Sequence, residues 1–122
     1  MTKGEAINNF FSRIMPSYAA SAVPDNVEFP YLSYDGAFDA WNGGEVSITV
    51  KMWFYTDEEK TPNAKAAELS ELIGYGGAVL PCDGGYIWLK RGTPFSQPFT
   101  DAQNPNVKQR YINVSAEYLT LN

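Results

Sequence analysis

From Glu45 to Tyr55 the sequence alternates strictly. Val46, Ile48, Val50, Met52 and Phe54 fall on one side, and Ser47, Thr49, Lys51, Trp53 and Tyr55 on the other. Side chains of an extended chain point alternately to opposite faces, so this stretch is a β-strand with one wholly apolar face. That face must be covered. The second face starts polar and ends aromatic, so its far end is also expected to meet something. A second alternation sets Tyr111, Asn113, Ser115, Glu117 and Leu119 against Ile112, Val114, Ala116 and Tyr118, and predicts a long terminal strand over 107–121.

Two segments carry helical periodicity instead. Ile7, Phe10, Phe11, Ile14, Met15 and Tyr18 recur at the spacing of one helical face. They predict a helix from about Lys3 to Ala19, with a kink or early end at Pro16, where the ring removes a hydrogen bond and clashes one turn back. Thr61-Pro62 reads as an N-cap followed by proline at the first helical position. Ala66, Leu69 and Ile73, with Leu72 beside them, then form a narrow apolar stripe, and Gly74 suits the stop.

Ala22–Asn26 reads as a loop and Glu28–Tyr34 as a strand whose Pro30 confines its start to an edge or an entry. Asp35–Gly44 should turn the chain, and Trp41 within it is expected in the core, as is Trp53. Gly77–Pro81 and Tyr86–Arg91 are short strands around Asp83-Gly84, a strong hairpin signal. Gly92–Asn106, with three prolines and no periodicity, reads as a long irregular loop of the kind that carries function. Together these elements predict one α+β domain spanning 1–122, a mixed, mainly antiparallel sheet of about five strands with two helices packed on it.

The chain has 122 residues, 44% of them hydrophobic and 15% aromatic, which places it among folding rather than disordered sequences. Its net charge of −5 disfavours tight nucleic-acid binding, which draws its affinity from neutralised phosphates. The nine basic residues are scattered, with only Lys90 and Arg91 adjacent, and are expected at solvated ends of strands and helices. There is no histidine, hence no imidazole base, imidazole metal ligand or Ser-His-Asp arrangement. The single cysteine, Cys82, allows no internal disulfide and has no basic neighbour to activate it.

Asp57-Glu58-Glu59 is the one dense carboxylate cluster and is expected to solvate a loop and complement a helix dipole. Gly74-Tyr75-Gly76-Gly77 lacks the Lys-Ser/Thr of a nucleotide loop. The reading is therefore of a protein that is not an enzyme and takes no cofactor or metal. No signal peptide or bilayer-spanning run is expected, and folding is expected in a reducing cytoplasm.

The order of segments resembles the tail terminator, or tail completion, proteins of long-tailed bacteriophages, in the compact form of phages of Gram-positive hosts. The residues that carry this are Ile7-Asn8-Asn9-Phe10-Phe11, Ala22-Val23-Pro24-Asp25 and Phe29-Pro30-Tyr31-Leu32-Ser33-Tyr34. Further on they are Val50–Tyr55, Glu71-Leu72-Ile73-Gly74, Gly85–Gly92 and Arg110–Val114. The resemblance covers nearly the whole chain and implies a structural virion protein assembled in the host bacterial cytoplasm. Its subunits would form a ring, expected to be hexameric, that caps the tail tube, ends its polymerisation and offers a joining surface to the head connector. DNA would pass through the lumen without specific binding, and no membrane would be involved. Phe95 and Phe99 on the long loop, and Trp53 and Tyr55 on the strand, are the candidate subunit or tube contacts. Two other readings stand beside it: another neck, head-completion or tube subunit, and a small ligand-binding domain with an aromatic pocket near Trp53, Tyr55 and Trp88.

Overall fold

The computed structural model describes residues 1–122. The first helix, α1, runs over Lys3–Phe11. Thr2 caps it: the Thr2 hydroxyl accepts from the Glu5 amide at 3.1 Å, and the Glu5 carboxylate accepts from the Thr2 amide at 2.9 Å. The helix stops well before the Ala19 expected from periodicity. A proline ring clashes with the carbonyl four residues back, here Ser12, and the residue before proline is driven out of the α region. The chain therefore leaves the helix at Ser12, tightens into Arg13→Phe10 and Ile14→Phe11 backbone bonds, and still buries Ile14 and Met15. Ser17–Ala19, expected to be helical, is instead a short strand, β1.

A single 3-10 turn over Ala20–Ala22 leads to β2, Tyr31–Gly36, and then to β3, Glu45–Tyr55. The second helix, α2, spans Lys60–Ile73. Its cap is Glu59 rather than Thr61; the Glu58 carboxylate accepts from the Thr61 amide at 3.1 Å. Pro62 thus sits one turn in, where its missing N–H has no helical partner to lose. Pro62, Ala66, Leu69 and Ile73 are buried, and Gly74 ends the helix at a φ of 77°.

Ala78–Cys82 is β4, Gly85–Thr100 is β5, and Val107–Thr120 is β6. The β4–β5 hairpin turns at Asp83-Gly84 as expected, although only Gly84 of the two takes a positive φ, 85°. The long loop expected over 92–106 is mostly strand. β5 continues to Thr100, and the connection to β6 is only Asp101–Asn106.

The six strands form one mixed sheet in the order β1-β2-β3-β6-β5-β4, antiparallel except for the β1–β2 pair, and it curls into a half-barrel. The sixth strand beyond the expected five is β1. Both helices lie on the same face, where Phe11, Leu69, Leu32, Val50, Leu89 and Ile112 are among the side chains of one continuous core. No helix is long and apolar enough to cross a membrane.

Two basic residues depart from the expectation of solvated ends. Arg110 and Lys108 project from β6 to the helix side and are buried. The Arg110 guanidinium meets the Glu59 carboxylate, donates to Asn63 Oδ1 at 2.9 Å, and reaches the Gln109 carbonyl at 3.0 Å. It thereby ties the first turn of α2 to the sheet. Lys108 donates to the Pro105 carbonyl at 2.9 Å.

Candidate interaction surface

With both helices on one side, the other face of the half-barrel has no helix over it, and only the 3-10 turn borders its β2 side. Cross-strand register assigns its residues. Tyr31 pairs with Trp53 and Ser33 with Lys51 on β2–β3; Trp53 pairs with Gln109 and Lys51 with Tyr111 on β3–β6; Phe99 pairs with Gln109 on β5–β6. Aromatic side chains therefore gather at one end of this face.

Tyr31 and Trp53 stack in parallel, 5.8 Å apart and 7° between planes, and the Trp53 indole donates to Ser33 Oγ at 3.4 Å. Phe29, entering β2, lies 5.7 Å from Tyr31 and 5.8 Å from Tyr55. Phe99 rests on Tyr111 at 4.2 Å, with the Lys51 ammonium 5.0 Å from the Tyr111 ring on that face. Burial pushes the Tyr31 phenol above its ordinary pKa. Tyr55, Phe99 and Phe29 remain 59%, 45% and 42% exposed.

The middle of the face is polar, and its far end holds an ion cluster. Lys90 Nζ lies 2.5 Å from Glu45 and 3.6 Å from Glu117, over the Trp88 ring at 3.7 Å, and Ser115 donates to Glu45 at 3.1 Å. The Lys90 and Ser115 hydrogen bonds hold the Glu45 carboxyl below its ordinary range, and Glu45 holds the Lys90 ammonium above its own.

Of the four candidate contact residues, Trp53, Tyr55 and Phe99 come together at the aromatic end, Trp53 half-buried. Phe95 does not join them. Between the Arg91–Val114 and Ser96–Ile112 pairs β5 advances five residues while β6 advances two, so three extra residues bulge out. An odd number of extra residues reverses the alternation, and Phe95, within the bulge, packs against the core. Asn113 Nδ2 clamps the bulge by donating to the Pro94 carbonyl at 2.6 Å. Gly92 is needed there, because a Cβ would lie 2.8 Å from that of Asn113.

Trp41, expected in the core, is 59% exposed. Its amide donates to the Thr120 carbonyl, which fixes the loop over 37–44 across the opposite end of the sheet. Phe38 on the same loop and Leu121 beyond β6 are also exposed, so a second apolar set, missed by the sequence reading, stands at that end. The pocket expected near Trp53, Tyr55 and Trp88 does not form. Trp88 pairs with Glu117 and Trp53 with Gln109, eight residues apart along β6, which separates them by roughly 27 Å. Beside Trp53 there is instead an open groove of about 450 Å³ between the 3-10 turn and β2–β3, lined by Tyr31, Ser33, Asp35, Thr49 and Lys51 among others.

No three His, Cys, Asp or Glu side chains come together as metal ligands. In the carboxylate cluster the Glu58 carboxyl is lowered by its bonds from Thr61, and Glu59 is engaged by Arg110. No protein-family model matches the chain, and no curated protein matches it in sequence.

Proposed function

We propose that the chain is a structural subunit of a phage tail, a tail terminator that closes into a ring at the neck end of the tail tube. One observation carries this reading: a half-barrel with helices on one face only, whose uncovered face ends in the exposed Phe29, Tyr55 and Phe99. Exposed apolar clusters of this kind mark protein contacts. The second apolar set, Phe38, Trp41 and Leu121, lies at the other end of the long strands. Two different patches on one subunit suit a heterologous contact, which generates a ring when the rotation closes.

In this reading the function is geometric. A ring expected to hold six subunits caps the last layer of the tube, ends its growth and presents its other side to the head connector. A net charge of −5 suits a channel through which DNA slides without being held. The protein would be assembled in the host bacterial cytoplasm and reside in the virion. A tube, neck or head-completion subunit shares the same surface features and differs in how it grows. The groove beside Trp53 favours one reading of another class, a small ligand-binding domain.

The test is negative-stain microscopy with light scattering on the purified protein across a wide concentration range. Closed rings of fixed subunit number that never stack are the expected result. Long tubes would replace the terminator with a tube subunit. A monomer at every concentration would overturn the self-closing ring, leave the terminator only assembly on a tube template, and raise the ligand-binding domain to equal standing.

A further inference from the structure

Two routes are open to a sheet protein that binds copies of itself: extending the sheet across an edge, or packing side chains. The longest free edge here is that of β5. β4 pairs with it only as far as Leu89, so Lys90–Thr100 has no neighbour on its outer side. Asp101 donates to the Val107 carbonyl, which makes that pair a hydrogen-bonded one. Hydrogen-bonded and open pairs alternate in an antiparallel ladder. Phe99–Gln109 and Gln97–Tyr111 are therefore bonded inward, and Pro98, opposite Arg110, faces out.

Pro98 has no N–H to offer there, and Pro94 in the bulge has none either, with its carbonyl already taken by Asn113. On β4 the same alternation from the Cys82–Gly85 pair that closes the hairpin turns Pro81 outward. Prolines at outward positions, together with a bulge, are what keep an edge from being extended. At the opposite edge of the sheet β1 is only three residues long. Edge extension is disfavoured.

Side-chain packing is not. An aromatic side chain buries about 150–250 Å² when covered. At 42–59% exposure, Phe29, Tyr55 and Phe99 leave roughly 250–300 Å² uncovered. Phe38 and Trp41, at 60% and 59%, leave nearly as much at the other end. A stable interface buries about 800 Å² per partner, a little over half of it apolar. Each aromatic set thus supplies more than half of the apolar area one side of such an interface needs, and Leu121 adds to the second.

We infer that each copy meets the next end to end, the Phe29–Tyr55–Phe99 end of one sheet against the Phe38–Trp41 end of another, with no strand shared between them. The inference rests on the ring reading above and specifies the contact that builds it.

The experiment uses two surface variants, Tyr55→Arg and Trp41→Arg, each at a site 59% exposed in the monomer, with near-UV circular dichroism to confirm folding. Mass is measured by native mass spectrometry and light scattering. Each variant alone is expected to stay monomeric at concentrations where the wild type assembles. Each also keeps one intact end, so an equimolar mixture is expected to form a 1:1 pair of twice the 13.6 kDa protomer mass and nothing larger. Assembly of either variant alone would overturn the inference and leave the ring standing, as would a mixture that forms no pair. A wild type that is monomeric at every concentration overturns the ring itself, and this contact with it.

Discussion

Removing one oxygen atom should make this protein more stable. Tyr118 stands on the core face of β6 at 1% exposure, its ring edge-on to Phe38 at 6.0 Å, and its hydroxyl is buried with no hydrogen-bond partner. An unsatisfied buried hydroxyl costs about 1–3 kcal/mol of lost hydration. Tyr118→Phe keeps the ring and deletes that cost, so a gain of about 1 kcal/mol is expected at pH 7, at the low end because the emptied space is not refilled.

A second magnitude is tied to pH. Burial, with smaller contributions from Cys82 and Asp39, raises the Tyr118 phenol from 10.0 to about 12. A group whose folded pKa lies above its unfolded one stabilises the fold fully below the unfolded value and loses that contribution as pH climbs through the folded value. Two pKa units correspond to about 2.7 kcal/mol, of which about 2 kcal/mol is gone by pH 12. Tyr31 and Tyr34 are also raised by burial and stay in the variant, so its alkaline slope should be shallower than the wild type's without vanishing. Urea unfolding at pH 7, 10, 11 and 12 reads both effects. The advantage of Tyr118→Phe should be about 1 kcal/mol at neutral pH and about 3 kcal/mol at pH 12. A variant less stable than wild type at pH 7 would refute the unpaired hydroxyl, and parallel curves from pH 10 to 12 would refute the assignment of alkaline lability to Tyr118.

Other outcomes follow from the same contacts. Leu69→Ala, at the fully buried centre of the α2 stripe, should cost about 2–5 kcal/mol in urea unfolding, because α2 contributes few other large core side chains. Arg110→Ala should cost about 2 kcal/mol through the lost packing of its buried stem, since its partners Asn63 and Glu59 are exposed and can turn to water. Arg110→Met, which keeps the stem volume, should cost about 1 kcal/mol or less; equal losses in the two variants would mean that the guanidinium bonds, not the filled space, hold α2 to the sheet. Pro98→Thr should leave urea stability within about 0.5 kcal/mol while light scattering shows concentration-dependent aggregation, since the outer edge of β5 regains a donor. A variant that stays as soluble as wild type would mean that the edge is guarded by something other than Pro98.

The elements most legible in the sequence are those in which one physical signal acts alone. β3 and β6 alternate without interruption and were readable nearly to their ends, because on each the core-facing positions stay apolar along most of the length. The α2 stripe and its Gly74 stop were readable for the same reason. Helix α1 was overestimated because burial does not end with the helix. Ile14 and Met15 keep the apolar period but reach the core from a tightened turn, and Tyr18 reaches its aromatic neighbours from β1, 6.4 Å from Tyr31. The α+β class and the covered face followed from these patterns. The strand count fell short by β1, three residues whose pairing with β2 is parallel and non-local, which no local pattern records.

The second half of β5 was illegible for a reason that bears on function. Prolines, a glycine and short polar residues over 92–100 have the composition of a loop. The same composition is what an unprotected edge strand requires, where proline removes the donors that would recruit another strand and glycine lets a bulge close on its neighbour. A loop and a guarded edge can thus share one sequence signature, and pairing with β6, fixed by residues eight to sixteen positions away, decides between them. The consequence falls on the candidate surface. On a loop, Phe95 and Phe99 would be equivalent. On a bulged strand, the reversal of alternation packs Phe95, half-buried, against the core and leaves Phe99 on the open face against Tyr111. The bulge that hid the strand from sequence reading is therefore also what selects Phe99, and not Phe95, for the aromatic end.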